Sequence, residues 1–304
     1  MKVLVTGGAG FIGSHVVDQL VAAGHDVAVI DNLSTGVRSY VNPKASFHEI
    51  SIGDKAVADI FAKEKPDAVC HLAAQINVTE SVKDPAFDAM TNIIGTINLL
   101  QAAVNSGVKK FIFSSTGGAI YGEPKVLPAD ESTVPEPMSP YGTSKLATEE
   151  YIKLYARNHP LHYVILRYSN VFGPRQVPHG ECGVCAVLTD LMLKGKQPTL
   201  YGFGEPIRDY VYVGDVARAN VLALERGSNT TVNISNGKAT TVNEIFDALD
   251  KVIGFNQEPI RKPLRAGEVE KIICANDKAK KELGWAPTVG LLEGLQNTID
   301  HMRA

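Results

Sequence analysis

The sequence predicts an α/β protein, a Rossmann-type doubly wound parallel sheet followed by a smaller C-terminal substrate-binding region. Three observations carry this expectation. Short β-rich runs alternate with longer stretches of helical spacing through the first half, which implies crossover connections and helices on both sheet faces. The first apolar run, Val3-Leu4-Val5-Thr6, enters directly into Gly7-Gly8-Ala9-Gly10-Phe11-Ile12-Gly13. After Asn170 the alternation weakens, and Gly- and Pro-rich loops appear at 173–178 and 201–206.

In chain order, residues 2–6 read as a buried strand, and residues 14–23 have helical spacing that stops at Gly24, a C-cap residue. Strands are expected at 26–30, 46–50 and 68–72, the last after Pro66. A helix over 92–105 closes on Ser106-Gly107, and a fifth strand follows at 110–114. A long helix covers 139–158, then a sixth strand 162–166, and residues 231–235 are a candidate to rejoin the sheet. Gly284-Trp285-Ala286-Pro287 reads as a helix end and turn. The division expected is residues 1–170, joined again by about 213–236, against a smaller unit over 171–304, with the cleft between them.

Composition narrows the class. With 304 residues and a net charge of −3, the chain lacks the positive field that nucleic-acid binding needs, so no nucleic-acid partner is expected. No apolar stretch is long enough for a bilayer, and no leader pattern opens the chain. Cys70, Cys182, Cys185 and Cys274 are too few and too unevenly spaced for a secreted disulfide framework. A cytoplasmic enzyme with no membrane partner fits these facts. Cys182 and Cys185, with His179 nearby, lack the four ligands of a structural zinc site and read as free cysteines on a helix, so no metal is expected.

The glycine turn follows a strand and opens a helix, the context in which missing Cβ atoms let backbone approach a pyrophosphate and helix N–H groups face its charge. Asp31 ends the next strand. A carboxylate there accepts both ribose hydroxyls of NAD and repels the added phosphate of NADP, and no Arg follows it directly, so NAD is the cofactor expected.

Tyr141 and Lys145 stand four apart after Ser139-Pro140, a helix cap and a first-turn proline, so phenol and ammonium share one helix face. A nearby cation, with the NAD charge, is expected to lower the phenol's proton affinity and make Tyr141 a general base. Alone, such a pair is usually a surface contact; beside a cofactor turn it gains chemical meaning. Ser114-Ser115-Thr116 ends the fifth strand, where ligand crevices form. Thr116 is preferred as the active hydroxyl, although the spacing also allows Ser115. His71 reads as a satisfied core histidine, and the face of Glu149 to Lys153 as solvated.

These motifs, with His71-Leu72-Ala73-Ala74, Asn92-Ile93-Ile94-Gly95-Thr96, Tyr168-Ser169-Asn170-Val171-Phe172-Gly173-Pro174 and Arg208-Asp209-Tyr210, cover nearly the whole chain. Together they resemble the extended short-chain dehydrogenase/reductases of the NAD-dependent epimerase/dehydratase group, most of all the UDP-glucose 4-epimerases. The resemblance implies that Gly7, Gly10, Phe11, Ile12, Gly13, Asp31 and Asn32 hold the adenosine and pyrophosphate. Ser51 and Ile52 take the adenine position, where an acid before the Ile is usual, so weaker adenine reading is expected. Leu72, Ala73, Ala74, Asn92 and Ser114 line the cofactor, Lys145 touches the nicotinamide ribose, and Tyr168 flanks the nicotinamide. Thr116, Asn170, Arg208, Arg265 and Glu268 face the UDP-sugar substrate, the two Arg on the diphosphate because their planar forks match phosphate oxygens. The activity implied is inversion at C4 of a UDP-hexose through a transient 4-keto sugar, in a homodimer. A residue after the second Arg gates the sugar pocket, and Ile272 lies near that place.

Two rival readings stand beside it. A 4,6-dehydratase or decarboxylase of the same superfamily needs further acid–base groups; Gly117 and Gly118 cannot transfer protons, which leaves an acid from elsewhere, such as Glu123. A sensor binding NAD without turnover often lacks the tyrosine or the lysine, and both are present here.

Overall fold

The computed structural model describes residues 1–178, 183–264 and 269–304. Its first part runs β1 (Lys2–Thr6), α1 (Phe11–Ala22), β2 (Asp26–Asp31), β3 (Ser46–Glu49), α2 (Val57–Glu64), β4 (Ala68–His71), α3 (Val78–Lys83) and α4 (Pro85–Ala89). A π-helical turn (Met90–Ile94) leads into α5 (Gly95–Asn105), then β5 (Lys110–Thr116), α6 (Gly117–Ile120), α7 (Pro140–Asn158), β6 (His162–Tyr168) and β7 (Asn170–Phe172). The remainder runs α8 (Val184–Leu193), β8 (Thr199–Tyr201), β9 (Ile207–Arg208), β10 (Tyr210–Tyr212), α9 (Val213–Glu225), β11 (Thr230–Ile234), β12 (Thr240–Thr241), α10 (Val242–Ile253), β13 (Ile260–Lys262), α11 (Asp277–Leu283) and α12 (Leu291–Arg303).

Seven strands form one sheet in the order β3-β2-β1-β4-β5-β6-β11, with every neighbouring pair parallel. The central strands are apolar on both faces because helices cover both. On one side Val16, Val17 and Leu20 of α1 meet Val216, Ala219 and Ala223 of α9; on the other lie Phe61, Leu99, Leu100 and Ile152 from α2, α5 and α7. Strand order reverses between β1 and β4, so the ligand crevice opens at their carboxyl ends. β11 does rejoin the sheet, pairing with β6 from Thr230↔Val164 to Ile234↔Tyr168. Outside the sheet, α8, α10 and α12 share a separate core of Leu188, Met192, Phe246, Leu249, Leu295 and Ile299.

Several expectations change in the structure. β5 and β6 run on to Thr116 and Tyr168, because each supplies the other's backbone partners through Thr116↔Tyr168. The helix expected over 92–105 starts with the π turn and is preceded by two short helices. These carry their own caps: Asn77 Oδ1 accepts from Glu80 N at 2.9 Å and Asp84 Oδ1 from Phe87 N at 2.9 Å. Five or six residues are too few to leave a periodic pattern. The face from Glu149 to Lys153 is not uniformly solvated. Glu149 is 0% exposed and meets Arg167 in two hydrogen bonds, from Nε at 2.9 Å and Nη2 at 2.6 Å. His71 is the satisfied core histidine expected, with Nδ1 2.7 Å from Thr6 Oγ1 and Nε2 2.8 Å from Thr96 Oγ1. Burial lowers its pKa to about 3, so it stays neutral. Cys185 is a buried free thiol on α8, whereas Cys182 and His179 lie outside the described residues. Among the described residues no cluster of potential metal ligands occurs, and no helix is long and apolar enough to cross a membrane.

Candidate active site

The glycine turn joins β1 to α1. Gly7 sits at φ +71°, a left-handed conformation that favours glycine, and donates its N–H to the Ile30 carbonyl at 2.8 Å. A Cβ on Gly7 would come within 2.7 Å of Ala73 N, and one on Gly13 would overlap the Gly7 carbonyl oxygen. The turn is therefore drawn tight against both the β4 end and the helix start. No side chain caps the N-terminus of α1 and its first turn contains no acid, so its N–H groups and positive dipole end remain for an anion.

Asp31 closes β2 beside this turn. Its Oδ2 accepts from Ala9 N at 2.9 Å and its Oδ1 from Leu33 N at 2.8 Å, and Leu33 adopts φ +55° where it makes that contact. The carboxylate is thus fixed in place, and each oxygen retains acceptor capacity for a ribose hydroxyl. A Cβ on Gly36 would lie 2.8 Å from Asp31 Oδ1, so the loop after Asn32 folds back over the acid. Gly36 was missed in the sequence, although it closes the Asp31-to-Gly36 segment. Ser51 is exposed after β3, while Ile52 is buried against Gly95 of α5.

Across the switch point, Thr6 Oγ1 receives the N–H groups of Leu72 and Ala73, each at 3.2 Å, and holds the chain leaving β4. Asn92 continues the clamp: its Oδ1 accepts from Gln75 N at 2.8 Å and its Nδ2 donates to Gln75 O at 3.0 Å. Asn92 thus shapes the segment containing Ala74 rather than presenting a free amide. The carbonyl of Asn92, in the π turn, is taken by Thr96 Oγ1 at 2.6 Å and Thr148 Oγ1 at 3.2 Å, which ties that turn to α7. Thr6 and Gln75 carry no sequence signal of this role; only the fold brings them together.

Tyr141 and Lys145 share the inner face of α7. Ser139 caps the helix through Gly142 N at 3.2 Å, and Ser81 of α3 accepts Tyr141 N at 3.2 Å. Lys145 Nζ donates to the Ser114 carbonyl at 2.9 Å, and lies 4.8 Å from the Phe113 ring centroid and 5.9 Å from that of Tyr141. Burial lowers the Lys145 pKa to about 8, against the opposing pull of Asp88 and Glu149. Burial, and then the Asp88 carboxylate, push Tyr141 well above the usual phenol range, against the direction expected from Lys145 together with the NAD charge. The protein groups alone keep this phenol protonated.

The strand-end hydroxyls separate by face. Ser115 Oγ donates to buried Glu149 at 2.6 Å, which commits it to the interior. Ser114 Oγ and the Tyr168 hydroxyl lie 2.9 Å apart, and Asn220 Nδ2 donates to Tyr168 at 2.8 Å, so Tyr168 braces the strand from within the core. Thr116 Oγ1 accepts from Ala119 N at 3.1 Å as the cap of α6, a use that leaves its hydroxyl proton available. A Cβ on Gly117 would come within 2.9 Å of Cys274 Sγ, and one on Gly118 within 3.6 Å of Asn170 Oδ1, so Asn170 borders this end of the strand.

Arg208 stands at the end of β9, its guanidinium donating to the carbonyls of Ile207 at 2.9 Å and Glu270 at 3.2 Å. Asp209 is buried and accepts from Asn236 N at 2.8 Å, Gly237 N at 2.9 Å and Ser169 Oγ at 3.1 Å, so it locks together loops from three elements. Burial raises its pKa to about 6 despite these donors. Arg265 and Glu268 lie outside the described residues. Ile272 is buried beside Ile120, Tyr121 and Cys274. Glu123 is exposed.

A glycine turn that only a Cβ-free chain can make, an acid fixed beside it and a half-buried tyrosine next to a buried lysine form a site that fits a dinucleotide and a reacting alcohol. The chain belongs to the NAD-dependent epimerase/dehydratase family, whose model matches residues 3–235. It is similar to a UDP-glucose 4-epimerase of Thermotoga maritima solved with UDP-glucose: 53% identity, 100% of this chain and 99% of that one covered, TM-score 0.98. It is also similar to the Thermus thermophilus UDP-glucose 4-epimerase solved with NAD, at 45% identity, 100% and 99% coverage and TM-score 0.94. A UDP-glucose 4-epimerase of Mycolicibacterium smegmatis is 40% identical, over 100% of this chain and 99% of that protein.

Proposed function

We propose that this chain inverts C4 of a UDP-hexose, interconverting UDP-glucose and UDP-galactose, with NAD retained as cofactor. The observation that carries this reading is the Tyr141–Lys145 pair on the inner face of α7, anchored to the end of β5 by the Lys145–Ser114 hydrogen bond of 2.9 Å. Only β4 separates β5 from the strand that feeds the glycine turn.

When bound, NAD supplies the redox chemistry, taking hydride from C4 and returning it to the opposite face of the sugar. Gly7, Gly10 and Gly13 let the turn and the start of α1 hold the pyrophosphate, with Phe11 and Ile12 completing that turn. Asp31 and Asn32 hold the adenosine ribose, and Ser51 and Ile52 border the adenine. Leu72, Ala73 and Ala74 form the wall between turn and catalytic pair. Tyr141 removes the proton of the 4-hydroxyl and returns it, and Lys145, as the ammonium, holds the nicotinamide ribose and favours the phenolate. The Thr116 hydroxyl shares a hydrogen bond with the reacting oxygen. Asn170, Arg208, Arg265 and Glu268 hold the UDP portion.

A dehydratase would need added proton-transfer groups near C5 and C6. Gly117 and Gly118 provide none, and the exposure of Glu123 counts against it as a substitute. The Tyr–Lys pair favours turnover over sensing. Incubating UDP-galactose with the purified protein and following both sugars by NMR tests the reading; failure of the two forms to equilibrate would reject it for that substrate.

The nucleotide-binding unit of this reading is residues 1–170 with about 213–236, and the rest binds the UDP-sugar. A homodimer in the cytoplasm is the expected assembly and location. Val82, Phe87, Met90 and Ile94 are exposed on elements that pack against α7, where Tyr151 and Leu154 are also exposed, and together they offer apolar surface to a second copy. Sedimentation at dilute concentration checks it; a monomer would reject the dimer.

A further inference from the structure

Asp88 stands out among the groups that the proposed chemistry does not use. It is 0% exposed, on α4, where that short helix packs against α7. Its Oδ1 accepts from Gln75 Nε2 at 2.9 Å and Asn92 Nδ2 at 3.0 Å, whereas its Oδ2 is buried with no hydrogen-bond partner among the protein atoms. Buried carboxylates are normally paired or fully hydrogen-bonded, since desolvating the charge costs several kcal/mol. Among the described residues Asp88 has no ion pair within 4.0 Å. An uncompensated oxygen of this kind calls for a reason.

The surroundings supply one. The two carboxamides that grip Oδ1 are those that shape the wall of the cofactor crevice, so the carboxylate is fixed relative to α7. We propose that Asp88 is a positioning residue of the epimerase reaction, a carboxylate fixed against α7 by Gln75 and Asn92 that sets the proton balance between Lys145 and Tyr141. This rests on the functional reading above. The field of Asp88 acts on both partners in the required sense: it opposes ionisation of the phenol and favours the ammonium.

Of the neighbouring groups, only Glu149 shares the pull on Lys145, and it does not act on Tyr141. From α7 itself, Glu149 faces Lys145 but is engaged by Arg167 at 2.6 Å. From β4, His71 is neutral. From α3, Glu80 and Lys83 are exposed and pair with each other at 2.6 Å, and Asp84 is exposed at the α4 cap. Beyond α6, Tyr121 is buried against Arg167. The π turn and α5 contain no titratable side chain.

Asp88→Asn keeps the acceptor for Gln75 and Asn92 but removes the charge, and Asp88→Ser removes both. With the charge gone, phenol and ammonium both become more acidic, so both limbs of the kcat/KM–pH profile should move to lower pH by about one unit. The same downward shift should appear in the ultraviolet titration of the Tyr141 phenolate, taken as the difference between each form and its Tyr141→Phe counterpart, in NAD-loaded protein. NAD content and melting temperature identify the variant that is folded for comparison. Wild-type limbs and a wild-type phenolate titration in either folded variant would overturn the proposal, whatever the fall in kcat. The phenolate titration needs no turnover, so it judges Asp88 even if the wild-type protein fails to epimerise UDP-galactose.

Discussion

Replacing Arg167 by Met should be the most destabilising single change near the site, and the structure fixes why. Arg167 on β6 is 4% exposed and Glu149 on α7 is 0% exposed, so the pair is out of water at both ends. Two parallel hydrogen bonds of 2.9 and 2.6 Å join them, and Arg167 Nη1 donates at 3.0 Å to the Tyr121 hydroxyl, which in turn donates to Asn233 at 2.8 Å. Removing only the cation strands the carboxylate with the Ser115 hydroxyl and Lys153 at 3.9 Å. Breaking a buried pair in this way costs about 3–5 kcal/mol. Replacing both partners, as in Arg167→Met with Glu149→Leu, removes the stranded charge and leaves one orphaned serine hydroxyl, a loss of about 1 kcal/mol. Urea unfolding followed by the fluorescence of Trp285, the chain's one tryptophan and fully buried, would measure both changes. Equal losses in the single and double variants would refute the argument, because they would mean that lost packing, not an unpaired charge, sets the magnitude.

Other outcomes follow from the same geometry. Tyr141→Phe should lower kcat by roughly 10²–10⁴-fold, the range for a positioned general base, with UDP-sugar binding retained in calorimetry. The Lys145 pKa of about 8 places an alkaline limb: the ammonium is lost as pH rises through that value, so kcat/KM should fall above it, and Lys145→Arg should move the fall upward in a pH–rate profile. Gly13→Ala drives a methyl into the Gly7 carbonyl. Overpacking of this kind costs about 1–3 kcal/mol, roughly five- to 150-fold if it falls wholly on NAD affinity measured by cofactor retention.

The fold was legible where local pattern and long-range packing agree. Strands buried on both faces announce themselves as apolar runs, and the glycine turn, Asp31, Tyr141 and Lys145 all sit at fixed offsets from such elements. The electrostatics were not legible. Nothing local to Asp88 tells a solvated helix acid from a buried one, and that acid, with burial, opposes the ionisation of Tyr141 that Lys145 and the NAD charge are expected to favour. Glu149 misled for the same reason: its neighbours Glu150 and Lys153 pair at 2.7 Å on the outer side of the helix, whereas its own partner lies eighteen residues on, across β6. Ser115 and Thr116 could be told apart only once strand pairing fixed which of them faces the interior.

The return of β11 to the far edge of the sheet has a consequence for how the molecule is made. A ribosome releases β6 more than sixty positions before the strand that will cover it, and α8, β8 and their neighbours emerge in between. Throughout that interval Val164–Tyr168 offers an uncovered row of backbone donors and acceptors, the kind of margin onto which foreign strands add. A polypeptide cut after β7 would keep that margin permanently bare, so it should clump where the intact chain stays dispersed. The sheet is thus completed only by a strand from late in the chain, and no single cut between β6 and β11 leaves it whole.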